Sequence, residues 1–213
     1  FFEQHSNMKY ILSFLVFLIS QQINAQLTVN VNWTEQTSLP ASEICYYNPA
    51  RKLVWENFRG TPPAVNSQVA ALTVSGFGYN ASVKTINGKG QLTVNVYCYF
   101  SKEKSWVRPG KNTDYILSHE QHHFDVSYIA AAIFIDKLQG TKFTTANFNA
   151  VLNSLYRESC DIMNKMQNDY DGQTKNGQLK EQQAKWNELI DSRVASLTKP
   201  SNFINACLLL MVL

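Results

Sequence analysis

Hydrophobic and polar positions change rhythm near residue 110. Upstream, the apolar residues alternate with polar ones. LTVNVNWT (27–34) reads as a strand, and QVAALTVSGFGY (68–79) is β-branched, with glycines that suggest a bend or bulge. LVWENF (53–58) is a short aromatic-rich run that joins this strand-and-turn region and leads into the turn RGTPP (59–63). ASVKTI, NGKG and QLTVNVYCYF together predict a hairpin around Asn87–Gly90. In its second strand Leu92, Val94, Val96, Cys98 and Phe100 share one face, and Thr93, Asn95, Tyr97 and Tyr99 the other.

Downstream of Arg108-Pro109-Gly110 the period becomes helical. The pattern predicts a first helix over 114–139, with Thr113 as its N-cap and Gly140 as its stop. A second is expected over 146–169, carrying Val151, Leu152, Leu155, Ile162 and Met166, with Asp171-Gly172 as its break. A third is expected over 179–197, with Trp186, Leu189, Ile190 and Val194 on one stripe and Pro200 after its end. Strands followed by helices imply an α+β fold: an N-terminal, mostly antiparallel sheet region followed by three long helices. The expected organisation is an upstream and leader segment (1–25), one domain over 26–200 (strand-rich to 110, helical from 111), and an apolar tail (201–213).

The ends add a location. Residues 8–25, MKYILSFLVFLISQQINA, have the layout of a secretory signal peptide, with cleavage near Ala25 and a periplasmic or extracellular destination. That run and the tail FINACLLLMVL (203–213) are both short for a membrane-spanning helix, so no stable span is expected in the mature chain. Export permits disulfides, but Cys45, Cys98, Cys160 and Cys207 allow three pairings, and their spacing chooses none. With 45% hydrophobic and 12% aromatic residues among 213, the chain has the material for a core. A scattered net charge of +3 does not suggest a nucleic-acid partner.

The chemistry is concentrated in His119-Glu120-Gln121-His122-His123, an HExxH motif. Residues four apart on a helix lie one above the other, so His119 and His123 can turn two imidazoles on one metal ion. Glu120 sits about 100° round from His119, within reach of a metal-activated water as general base. Three of the four histidines fall in these five residues. The helix side that holds His119 and His123 also carries Ile116, Val126, Ala130, Ile133 and Phe134, and imidazoles beside an apolar stripe need partners. Zn2+ is the expected cofactor. His122 points about 60° away and reads as a rim or substrate-side residue. Asp125, off the ligand face, reads as a contact that orients the helix.

A catalytic zinc takes a third protein ligand, and no third downstream His exists to supply it. Glu158 on the next helix and Asp171 in the expected break are the candidates, with Asp171 preferred because a break between helices aims side chains at a site. Asp161, one turn from Glu158, could orient a ligand His. Tyr170 or His122 could stabilise an oxyanion.

Taken in order, several segments resemble one family: Arg51–Gly60 with Pro62-Pro63, Ala70-Ala71 through Gly76, Tyr99-Phe100 to Ser105-Trp106-Val107, His119–Asp125, Tyr170-Asp171, Thr174, and Gln183 to Trp186. The family is a bacterial domain-of-unknown-function family of predicted secreted zinc-dependent proteases. The resemblance implies a zincin-like fold and hydrolysis of peptide or protein substrates. Two positions differ from the family pattern. Asn176 stands where the family often has a His, and Tyr128 or nearby apolar residues occupy a stretch where an acidic residue tends to follow the Phe-Asp pair. The expected function is therefore an exported zinc metallopeptidase, with a catalytically decayed, zincin-like binding module of the cell envelope as the alternative.

Overall fold

The computed structural model describes residues 25–64 and 69–197. The leader (8–24), the apolar tail (203–213) and Cys207 lie outside the described residues. The chain is an α+β protein. Its elements are β1 (Gln26–Trp33), β2 (Ile44–Tyr46), a 3₁₀ turn (Trp55–Asn57), β3 (Ala71–Leu72), β4 (Ser75–Ile86), β5 (Lys89–Ser101), β6 (Trp106–Val107), α1 (Asp114–Gln139), β7 (Phe143–Thr144), α2 (Phe148–Thr174) and α3 (Lys180–Leu197).

The β4–β5 hairpin is the spine of the sheet. Ile86 pairs with Lys89 across Asn87 (φ 50°) and Gly88 (φ 74°), the two left-handed residues a tight two-residue hairpin turn requires. β4 follows one edge of β5 along its length. The other edge is shared: β1 runs parallel to it from Thr28↔Gln91 to Trp33↔Val96, and β2 antiparallel from Ile44↔Ser101 to Tyr46↔Tyr99. That parallel pair is the exception in an otherwise antiparallel sheet, and the long connection between β1 and β5 gives the chain room for the crossover it needs. β7 closes the outer edge of β1 through Leu27↔Phe143, and β3 and β6 form a separate short pair.

Alternation along β5 sets the core. Leu92, Val94, Val96, Cys98 and Phe100 are all fully buried, whereas Thr93, Asn95, Tyr97 and Tyr99 are only partly covered. Against this face lies α1, begun by Thr113, whose side chain accepts a hydrogen bond from the Ile116 N–H. Asp114 in the first turn and Lys137 in the last complement the helix dipole. α1 is buried on most of its circumference because the sheet covers one side and α2 and α3 the others. Phe134 joins three elements, with its ring against Phe77 and Tyr79 of β4 and Tyr156 of α2.

Three local features refine or change the expectation. The aromatic-rich run 53–58 forms a 3₁₀ turn at Trp55–Asn57, closed by the Asn57 Oδ1 that accepts from the Val54 N–H at 2.9 Å. The segment continues to Gly60, whose N–H donates to Ser105 O at 2.8 Å. A Cβ there would lie 2.8 Å from Glu103 O, so the two backbones meet this closely only with glycine. Secondly, Asp171-Gly172 does not break α2. The helix runs on to Thr174 and ends in three successive left-handed residues, Lys175, Asn176 and Gly177. A helical glycine costs about 1 kcal/mol relative to alanine, and the side-chain contacts of Tyr170, Asp171 and Thr174 hold this turn against that cost. Thirdly, Leu189 leaves the α3 stripe and is 55% exposed, while Ile190 and Val194 are buried. Cys45, Cys98 and Cys160 are free thiols.

Truncating Phe134 to alanine should cost about 3–5 kcal/mol, as for a fully buried aromatic. Chemical denaturation of the variant beside the parent chain measures it.

Candidate metal centre

The two helical turns that carry His119 and His123 face the C-terminal part of α2. The Nε2 atoms of the two imidazoles lie 3.2 Å apart. Asp171 Oδ1 lies 3.2 Å from His119 Nε2 and 3.0 Å from His123 Nε2. Donors that surround one ion tetrahedrally at zinc–nitrogen and zinc–oxygen bond lengths are separated by about 3.3 Å. The three atoms therefore have the mutual spacing of three corners of a zinc coordination shell.

The opposite edge of each ring determines what those atoms are. His119 Nδ1 donates to Gln183 Oε1 at 2.9 Å, and His123 Nδ1 donates to Gln167 Oε1. Each amide is oriented by its other end: Gln183 Nε2 donates to Tyr170 Oη and to Asn187 Oδ1, and Gln167 Nε2 donates to the His123 carbonyl. With both Nδ1 atoms carrying the hydrogen, both Nε2 atoms present lone pairs. Two lone pairs and a carboxylate oxygen turned on one point form a donor set that could hold a cation. Tyr170, fully buried, stacks on the His119 ring at 4.6 Å and limits its rotation.

The titrating groups respond to this crowding. Burial alone would raise Asp171, but His119 and His123, which once protonated would donate to it and carry charge, hold its carboxyl below the ordinary range. Burial alone would lower His123, but Asp171, which accepts from the ring once it is protonated, and the charges of Glu120 and Asp171 outweigh that and raise it. Burial pushes the Glu120 carboxyl up, against the opposing pull of His123 and His119. Its Oε2 is buried without a hydrogen-bond partner, in a residue only 4% exposed that borders the same cavity as the three donors. That cavity, of about 370 Å³, lies between the 69–75 segment, α1 and α2.

The structure separates the other candidates. Glu158 is exposed and paired with Lys137 at 2.7 Å, away from the histidines, so it is not placed to join them. Asp161 is likewise exposed. Asp171 reaches the site from a helical turn rather than from the break expected of it. His122 is not at the rim: it is 5% exposed, donates from Nδ1 to Ser118 O at 2.6 Å and meets Asp191 of α3 at 3.3 Å. Tyr170 is not free to meet an oxyanion, because its hydroxyl lies buried between Gln183 and the His119 carbonyl.

Asp125 faces the other side of α1. Its Oδ1 accepts from the Tyr47 hydroxyl and Gln121 Nε2, and its Oδ2 pairs with Lys52 at 3.5 Å. It therefore orients the helix by holding the 47–53 segment on it, at a distance from the donor cluster. Asn176 lines the cavity mouth, and its neighbour Gly177 covers the His119–Gln183 hydrogen bond. A Cβ on Gly177 would lie 3.3 Å from His119 Nδ1, at a φ of 77°.

Gln167 and Gln183 carry no signal in HExxH itself. Gln183 lies in one of the stretches that carry the resemblance noted in the sequence, whereas Gln167 has only its helical phase, one turn before Asp171, to point to it. No protein-family model, curated protein or solved structure matches the chain.

Replacing Gln183 or Gln167 by leucine should lower zinc affinity about 10- to 100-fold, because each Nδ1–H then lacks the acceptor that fixes its ring. Competition against a chromophoric chelator measures the loss, with circular dichroism as the check on folding.

Proposed function

We propose that this chain is a zinc-dependent metallopeptidase of zincin-like type, exported by its N-terminal segment. The observation that carries the reading is the triad of His119 Nε2, His123 Nε2 and Asp171 Oδ1, spaced 3.0–3.2 Å apart with both imidazoles set as acceptors. Nitrogen and carboxylate donors in this number suit zinc. The resemblance to predicted secreted zinc-dependent proteases and the signal-peptide pattern of residues 8–25 support the same reading. When bound, zinc supplies Lewis acidity, polarising a carbonyl and bringing the pKa of a water near 7.

The chain's own residues do the rest. His119, His123 and Asp171 hold the ion, and Gln183, Gln167 and Tyr170 hold the imidazoles. Glu120, its carboxylate oxygen unengaged at the cavity, takes the proton of the attacking water and passes it to the departing amine. Burial raises its affinity for a proton, in the direction a carboxylate that accepts and returns one needs. A peptide substrate is supported by the wall of the cavity. Arg108 N–H donates to Ala70 O, and Leu72 pairs with Trp106, so alternation turns the backbone groups of Ala71 and Thr73 to the opposite edge. An extended peptide can pair with that edge.

A second reading keeps the metal and drops the turnover: a decayed, zincin-like module that binds envelope components. It is favoured by the withdrawal of both Tyr170 and His122 from the cavity, which leaves neither to stabilise an oxyanion.

The purified chain should contain about one zinc, absent from the His119→Ala/His123→Ala variant. Glu120→Gln should keep the zinc and lose at least 100-fold in cleavage of an unfolded protein substrate. Elemental analysis and a protease assay separate the readings: zinc without cleavage by the parent chain selects the binding module, and cleavage unaffected by Glu120→Gln removes the proposed mechanism.

Proton competition gives a further test. His123 binds its proton more tightly than an ordinary histidine of pKa 6.5, and the metal requires the deprotonated ring. Zinc affinity should therefore fall as pH drops through the raised His123 value, beginning at a higher pH than an ordinary histidine ligand would give, which chelator competition across a pH series follows.

A further inference from the structure

We infer that the cavity selects substrates by an uncharged, apolar side chain beside the bond that is cut. The inference rests on the metallopeptidase reading and adds the class of substrate to it. The carboxylates and imidazoles that line the cavity are His119, Glu120, His123 and Asp171, all committed to the donor cluster or the proton transfer. The walls beyond them are different in kind. Leu72 comes from β3, Tyr115 and Ile116 from α1 and Met163 from α2, and the remaining polar side chains there are neutral.

No lysine or arginine lines the cavity among the described residues. An acidic side chain entering it would face Glu120 and Asp171, and Lys180, whose Nζ lies 6.0 Å from the centroid of the Tyr115 ring, is not part of the lining. A basic one would meet Asp171, which the imidazoles and the ion engage, and Glu120, whose free oxygen the proton transfer needs. An apolar one would displace water from surface that is already apolar. Leu72 and Tyr115 are each 41% exposed at this mouth. Tyr115 is fixed there, because its hydroxyl donates to Gly177 O at 2.6 Å. Two large apolar side chains held partly in water beside a catalytic cluster are surface that a substrate can cover. Each buried methylene is worth about a fourfold gain in binding, so a leucine-sized side chain gains roughly 10- to 100-fold over a charged one.

The test uses the zinc-loaded full chain and four N-blocked amino-acid hydroxamates with leucine, phenylalanine, aspartate or lysine side chains. Isothermal titration calorimetry reads affinity without requiring turnover. The leucine and phenylalanine compounds should bind about 10- to 100-fold more tightly than the other two. Leu72→Lys should move the preference towards aspartate, and Leu72→Ser should narrow it, both with zinc content unchanged. Equal binding of all four by zinc-loaded protein, or a ranking indifferent to both Leu72 variants, overturns the inference and leaves the metal reading standing. A chain that takes up no zinc overturns both.

Discussion

Three electron-pair donors crowd one point in this protein, and much of its architecture serves to hold them there. Left alone, His119 Nε2, His123 Nε2 and Asp171 Oδ1 would repel one another at 3.0–3.2 Å. A proton can relieve part of that repulsion, and a divalent cation can relieve all of it. The rings do not turn away because their far edges are committed: His119 to Gln183, His123 to Gln167, with the Tyr170 ring stacked on the first. These partners come from α2 and α3, so the donor geometry exists only once all three helices are docked.

The docking depends in turn on the sheet. The fully buried face of β5, from Leu92 to Phe100, gives α1 a flat apolar floor. Residues 47–60 fasten the same helix from outside through Tyr47 and Lys52 to Asp125, and through the Leu53 N–H to Gln121 at 2.7 Å. His122 and Asp191 tie α1 to α3. The HExxH stretch therefore works on two sides: His119, Glu120 and His123 face the cavity, whereas Gln121, His122 and Asp125 fasten the helix that presents them. The left-handed turn at 175–177 completes the arrangement, bringing α3 back so that Gln183 reaches His119.

Much of this was legible in the residues themselves. The hairpin at Asn87-Gly88, the core face of β5 and the α1 limits with the Thr113 cap all rest on neighbours within a few positions. So does the joint aim of His119 and His123, which is set by helical period alone. Asp171 shows where local reasoning gives way. The ground for preferring it is a break between helices that would aim it at the site, yet it reaches the donors as part of a continuous helix. The turn chemistry belongs instead to residues 175–177, with their positive φ.

What the sequence determined by itself is therefore the set of local decisions: strand faces, helix limits, the cap, the hairpin turn and the pairing of two histidines one helical turn apart. The tertiary structure decided the rest. It chose Asp171 rather than Glu158, assigned Gln167 and Gln183 to the imidazoles, turned His122 towards α3 and buried the Tyr170 hydroxyl. The reason is geometric. Period and capping are fixed by contacts between near neighbours, but which of two carboxylates two helical turns or more apart reaches a point on another helix depends on how the helices cross and at what depth. That crossing is settled by the packing of the whole core.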